Sequence, residues 1–424
     1  MRLARRQAAA VAAATAIAVT VLGTGAPTAA RVAAAGPGAV IDWSIVSART
    51  VAVGRPAGSA DYLHAITIVA IHDAVAAIDG GTRALISSPP VQLPADTDAA
   101  VAAAAHDVLV ARVPGQASQV QAAYDAYVAG IPDGAAKANG IAVGQAVASD
   151  VLADRAGDGF DADPDWVQPA PGPGVFEPVL PTKPVDIKLG AVRPIVLPVG
   201  ADGTVDDSFL PGPPVPLTSA EYAADFNEVK ALGRKDGSSR TPEQTETALF
   251  WSENTVIQWN RTIGDLALAR GLDRPQTARL FAMTFVASAD SLIVCLKGKY
   301  RYVFWRPVHA IQRAETDGNP ATEPDPAWQS LLVVNHPEYP SGHACFTGAI
   351  VPALQAFFGT DRIEVTASST VTHTTRTFPG FRAIGRDVFV ARIYGGLHFR
   401  FTMGAGFNMA KHVARYVLAN AFGS

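Results

Sequence analysis

The chain has only two cysteines in 424 residues, Cys295 and Cys345. That excludes a scaffold stapled by several disulfides, and their spacing is not that of a zinc site. Charge is scarce too: 17% of residues are Asp, Glu, Lys or Arg, and the net charge is −4. No basic footprint for nucleic acid exists, so any anion site must come from local clustering of Lys and Arg. Strand signals are few, no internal repeat is visible, and no low-complexity segment lies beyond the first 35 residues. These absences turn attention to helices and to a small number of polar clusters.

What is abundant is apolar: 49% of the chain, ample for a large core. Residues 1–35 read as an export signal. Arg2, Arg5 and Arg6 precede the Ala-rich stretch 8–23, and small residues offer cleavage after Ala30 or Ala35. A membrane anchor is the rival, but the run is short and no second long span is read further on, so no stable membrane span is expected after cleavage. Export would permit a Cys295–Cys345 disulfide; two buried thiols are the plainer reading.

Apolar residues recur at helical spacing over 61–79, 98–113, 116–129 and 134–155 within an N-terminal region 36–162. Residues 163–217 are crowded with Pro and Gly and lack periodicity, which predicts a long ordered loop over the surface. Helical pattern returns in a third region, 218–424, with helices predicted at 218–232, 241–258, 259–270, 274–298 and 343–358, and from near His398 to about 421. Thr241 and Pro242 suit a helix start. The fold class is all-α, built of helical bundles with one irregular insertion.

Three segments carry chemistry. In Lys299-Tyr-Arg-Tyr-Val-Phe-Trp-Arg306-Pro307 the two cations are seven apart. On one helix they would share a face, about 10.5 Å apart along the axis, although Pro307 marks a bend or an end. In Pro340-Ser341-Gly342-His343 an apolar helical run follows, so Ser341 reads as a cap whose turn offers free N–H groups to an anion. Gly342 allows close approach, and His343 can exchange a proton at the anion's edge. In Arg392-Ile-Tyr-Gly-Gly-Leu-His398 a Gly-Gly turn separates an anion-binding guanidinium from an imidazole. Taken singly, each segment is weak: the first also reads as a pair of surface cations, although Tyr300, Tyr302, Phe304 and Trp305 argue against a fully wet face, and the second reads more simply as an ordinary capped helix.

Taken in this order, they resemble the superfamily of vanadium-dependent haloperoxidases and type-2 phosphatidic acid phosphatases, whose pattern is Lys-x6-Arg-Pro, Pro-Ser-Gly-His and Ser-Arg-x5-His-x3-Asp. The stretches VIDWSIVSARTVAVGRP, VAIHDAVAAIDG, YAADFNEVKALG, ATEPDPAWQSLL and HPEYPSGHA are similar to its soluble, exported bacterial branch, over essentially the whole mature chain. The resemblance implies a bundle of the haloperoxidase/acid phosphatase type. It implies that Lys299, Arg306 and Arg392 neutralise the equatorial oxygens of vanadate, with Ser341 and the Gly342 amide hydrogen-bonding to them. His343 is then the acid/base, and His398 is the axial vanadium ligand, or the nucleophile of a phosphatase. The implied co-substrates are hydrogen peroxide and a halide, or a phosphate ester. His336 falls beside the halide site, where His points to bromide. A non-catalytic oxyanion-binding protein is the third possibility.

The chain departs from the pattern at two places. Ala391 stands for the Ser before the third-motif Arg, and Thr402 for the Asp that orients the imidazole. Thr402 therefore reads as a weakened partner, and Thr402→Asp is predicted to tighten vanadate binding and raise the rate. Lys297 adds field or points away. His309, His72-Asp73 and the Asp317–Asp325 acidic turn read as second-rank candidates, the last as a faint calcium loop. Phe378, Phe381 and Tyr394 are possible cleft walls.

Overall fold

A computed structural model describes residues 36–423, and all of these lie within one compact unit. The N-terminal helices are α1 (Gly38–Ala52), α2 (Ala57–Asp79), α3 (Thr97–Arg112), α4 (Ala117–Val128) and α5 (Ala135–Asp154). After the irregular stretch come α6 (Ala220–Leu232), α7 (Pro242–Phe250), α8 (Thr255–Ala269), α9 (Arg274–Tyr302) and α10 (Pro307–Gln312). The chain ends with α11 (Gly342–Phe358), an antiparallel hairpin of β1 (Val365–Ser369) and β2 (Thr374–Phe378), α12 (Phe381–Tyr394) and α13 (Arg400–Ala421). The architecture is all-α, a multi-helix bundle with one small hairpin. The export-signal reading falls outside the described residues.

Helix α9 is the axle. An Asp273–Gln276 capping box starts it, and it is apolar nearly all round because α2, α11 and α13 pack against it. By length and composition α2 and α9 could each cross a membrane, but 83% and 94% of their apolar windows are buried in the bundle. The sequence reading missed both as long apolar spans. Helices α11 and α13 approach closely at Gly406: a Cβ there would meet the Ala344 Cβ at 2.7 Å. The first turn of α11 is thereby pressed against the second turn of α13.

Between α5 and α6 only short 3₁₀ turns occur, at Ile187–Ala191 and Asp207–Phe209. Side chains of the bundle hold this stretch. Buried Asp290 on α9 accepts the N–H groups of Ile195, Val196 and Leu197 at 2.6, 2.8 and 2.9 Å. Asn335 accepts from Val179 N at 2.9 Å and donates to the Thr182 carbonyl at 2.9 Å. Asp290→Ala would leave three backbone donors without their carboxylate. It is expected to lower stability by about 1–3 kcal/mol or more, the penalty for one orphaned buried group, because Leu197 N is buried while Ile195 and Val196 are part-buried. Equilibrium denaturation checks this; a loss below about 1 kcal/mol would contradict the role.

Several boundaries differ from the sequence reading. The helix predicted over 241–258 breaks after Phe250, because the Asn254 side chain caps a new helix by accepting from Val256 N and Ile257 N. The hairpin and α12 were not foreseen. The last helix starts at Arg400, two residues after His398. Cys295 and Cys345 are free, buried thiols. Asp317 spends its carboxylate on Asn319 N and the Thr322 hydroxyl, which makes a self-contained turn. His72 pairs with Asp73 at 2.9 Å in the core, and Asp73 also receives the N–H groups of residues 85–87. Phe378 and Phe381 belong to the core rather than to a cleft.

Candidate oxyanion site

Lys299 lies in the last turn of α9, which closes at Tyr302 with Val303 in the left-handed region at φ 46°. The run Val-Phe-Trp then crosses to Arg306, which caps α10. The two cations therefore do not share a helix face. They converge because the chain turns between them, which corrects the single-helix expectation. Ser341 caps α11, its hydroxyl oxygen facing Ala344 N at 3.4 Å, so Gly342 and His343 form the helix's first turn. Arg392 sits in the last turn of α12, and His398 follows the Gly395–Gly396 turn just before α13.

All of these elements lead to one polar interior. Lys299, Ser341, Arg306, Arg392 and His398 are each at most 3% exposed. Lys299 donates to the carbonyls of Pro337 at 2.8 Å and Glu338 at 3.1 Å. Arg306 donates to the carbonyls of His336 at 2.7 Å and Leu397 at 3.0 Å, to His336 Nδ1 at 2.8 Å and to His398 Nε2 at 3.3 Å. Arg392 donates to the Trp251 carbonyl at 3.1 Å.

The fields of these groups overlap. Burial holds the Lys299 ammonium down at about 8, Arg306 at about 10 and Arg392 at about 9. Burial, then neighbouring Arg392, Lys299 and Arg306, drives His343 far below the ordinary imidazole range. Burial followed by Arg306, Lys299 and Arg392 does the same to His398, and burial with Lys299 and Arg306 to His336. Neutral imidazoles thus stand beside three buried cations.

One carboxylate enters this field, and sequence reasoning missed it. Glu338, fully buried, lies 2.9 Å from His398 Nδ1 and accepts from Phe399 N at 3.0 Å and from the Thr402 hydroxyl at 2.7 Å. Burial pushes it up to about 7, against the pull of Arg306, Thr402 and Lys299. Thr402 is therefore not the weak acceptor the sequence suggested; it donates. His398 has a carboxylate partner after all. The available signal was a glutamate three residues before Ser341 in a chain that lacks the expected Asp.

The remaining candidates separate cleanly. Lys297 points away from the site, to the Thr204 hydroxyl and the Val205 carbonyl, both at 2.7 Å. His309 Nδ1 is buried without a partner but bonds to none of the site residues. Tyr394 is half-buried, and its carbonyl accepts from Arg240 at 3.1 Å.

The donors left over suit an anion. His343 Nε2 and Arg392 Nε are buried and unpartnered. A Cβ built on Gly342 would meet nothing within 4 Å, so open space lies against the first turn of α11. Three cations face a single carboxylate. Among the described residues no group of three or more His, Cys, Asp or Glu could hold a bare cation. Donors dominate, as recognition of an anion requires.

Parts of this chain, and its fold, are similar to known proteins. Residues 279–422 match the family model for the VCPO second helical-bundle domain. Vanadium chloroperoxidase of Curvularia inaequalis is 26% identical over 189 residues; the match spans 37% of this chain and only 30% of that protein. The structure described as the first bacterial vanadium-dependent iodoperoxidase aligns with a TM-score of 0.74 at 20% identity, covering 92% of this chain and 98% of the other. A holo-type bacterial vanadium-dependent chloroperoxidase aligns with a TM-score of 0.69 at 16% identity, covering 88% and 94%. At these identities the structural matches establish the fold.

Proposed function

We propose that this chain, a homologue of the vanadium-dependent haloperoxidases, binds vanadate and oxidises a halide, bromide in preference, with hydrogen peroxide. What supports the reading is that Arg306 faces His398 Nε2 at 3.3 Å, that Lys299, Arg306 and Arg392 lie close enough for their charges to reach His343 and His398, and that His343 Nε2 is buried without a partner. Bound vanadate would supply a Lewis-acid centre for peroxide. Lys299, Arg306 and Arg392 would hold its negative oxygens, with the Ser341 hydroxyl and the Gly342 amide donating beside them. His398 Nε2 would be the ligand. His343, held neutral by burial, would take a proton from incoming peroxide and return it to the departing oxygen. His336, hydrogen-bonded to Arg306, would border the halide's approach. Residues 1–35 would export the chain, and the Pro/Gly-rich stretch 163–217 would wrap the bundle as its insertion.

Assays on the purified protein separate this reading from its rivals. Bromide oxidation with orthovanadate and peroxide is expected, with little hydrolysis of a phosphate monoester in vanadate-free buffer. Hydrolysis without oxidation would instead make His398 the nucleophile of a phosphatase. Inertness in both assays, with the anion still bound, would leave an oxyanion-binding protein.

Lys299 gives the site a pH signature. Its ammonium is charged below about 8 and loses its proton above. Oxyanion affinity is therefore expected to hold below that pH and to fall as pH rises through it, by up to about tenfold per unit, since one pKa unit is about 1.4 kcal/mol. Vanadate titrations of wild type and Lys299→Met share the anion's own protonation, so their difference isolates this group. Parallel pH slopes would contradict the assignment.

A further inference from the structure

We propose that Glu338 is the positioning residue for His398, doing from the turn before α11 what a carboxylate at position 402 does in the resembling pattern. The inference rests on reading His398 as the group that meets the anion. Glu338 Oε1 lies 2.9 Å from His398 Nδ1 and accepts from Phe399 N, and Oε2 accepts from the Thr402 hydroxyl; because Arg306 can only donate to Nε2, the proton of His398 belongs on Nδ1, facing Glu338. An ionised carboxylate is acceptor-only, so all three contacts fit it. With Nδ1 carrying the proton, the lone pair of His398 is on Nε2, the nitrogen that Arg306 faces at 3.3 Å. A hydrogen-bond partner on the far nitrogen fixes tautomer and ring orientation and raises the ligand's basicity.

The placement also ties the halves of the site together. Glu338 lies three residues before Ser341, its carbonyl accepts from Lys299 and its N–H donates to the Phe304 carbonyl at 2.9 Å. One residue thus holds the last turn of α9, the start of α13 and the imidazole between them. Thr402 matches this arrangement because it brings a donor to an oxygen that needs one. An aspartate at 402 would set two carboxylates at hydrogen-bond distance in a buried site, where one must take up a proton. Thr402→Asp alone is therefore expected to weaken anion binding, the reverse of the sequence-based prediction. With Glu338 removed, the same aspartate should help.

The test uses the whole chain and two readouts. Histidine ¹⁵N NMR of the protein without any oxyanion reports the His398 tautomer, and orthovanadate and inorganic phosphate titrations report affinity. In wild type His398 is expected as the Nδ1–H tautomer. Glu338→Ala is expected to lose that preference and to bind vanadate about 10–100-fold more weakly. Glu338→Ala with Thr402→Asp is expected to recover most of both, whereas a merely structural role for Glu338 would not be rescued by a carboxylate on another helix. If Glu338→Ala fails to fold, Glu338→Gln keeps the shape without the charge and is expected to bind about tenfold more weakly. An Nε2–H tautomer in wild type, wild-type affinity in Glu338→Gln, or no gain from Thr402→Asp in a folded Glu338→Ala background would each overturn the proposal. The tautomer readout involves neither vanadate nor turnover, so a protein inactive as a peroxidase could still satisfy it.

Discussion

His398→Ala is expected to release vanadate. A buried carboxylate stands beside Nδ1 of His398, and its Nε2 faces the guanidinium of Arg306. Removing an outer partner of a metal-bound histidine costs about 10–100-fold in affinity, so removing the ligand itself should cost at least about 100-fold. The cations remain in the variant, and with them a weak electrostatic hold. Inorganic phosphate should therefore lose far less affinity than vanadate, because its noncovalent complex depends on the cations alone. The fold should survive, since the helix beginning at Arg400 needs no side-chain cap from position 398. Equilibrium dialysis with both anions decides it. Equal vanadate affinity in wild type and variant would remove His398 from the site.

His343→Ala is expected to do the opposite: keep the anion and lose the chemistry. His343 is in the first turn of α11, its Nε2 buried without a partner, and neighbouring Arg392 reinforces burial in keeping it neutral. A neutral imidazole at the edge of a cationic pocket adds no charge to hold an anion, but it can accept a proton. General acid–base assistance is worth about 10²–10⁴-fold, and a drop of that size in kcat is expected with vanadate affinity within about threefold of wild type. Alanine is also the better helix former, so the variant should fold. A matching collapse in affinity would make His343 a binding residue, and unchanged turnover would deny it any catalytic part.

The site was legible in the sequence to the extent that its chemistry is local. Lys299, Arg306, Ser341, Gly342, His343, Arg392 and His398 stand in three short motifs; Arg306 faces His398 at 3.3 Å, and the charges of Lys299, Arg306 and Arg392 reach both His343 and His398. What escaped depends on distance along the chain. Glu338 and His398 are 60 residues apart, and neither neighbourhood alone says that the carboxylate beside His398 comes from the turn before α11 rather than from α13. Helix α12 has its apolar stripe in Phe381, Ile384, Val388 and Ala391, all buried, but the Thr-rich hairpin before it masked the start of the pattern. The Lys299–Arg306 spacing suggested one helix face, whereas Val303 ends the helix between them and places the two cations by a turn. Thr402 was misjudged for the same reason: a hydroxyl's role as donor or acceptor is set by its partner, and the partner was remote.

The central claim meets its most direct test in a titration. Protein freed of oxyanions is given excess peroxide and bromide, and bromide oxidation is followed as orthovanadate is added. No activity is expected without vanadate, then a rise that saturates at a single vanadate per chain, and no rise in His398→Ala. Activity at background across the whole titration, beside phosphate ester hydrolysis that vanadate inhibits, would contradict it.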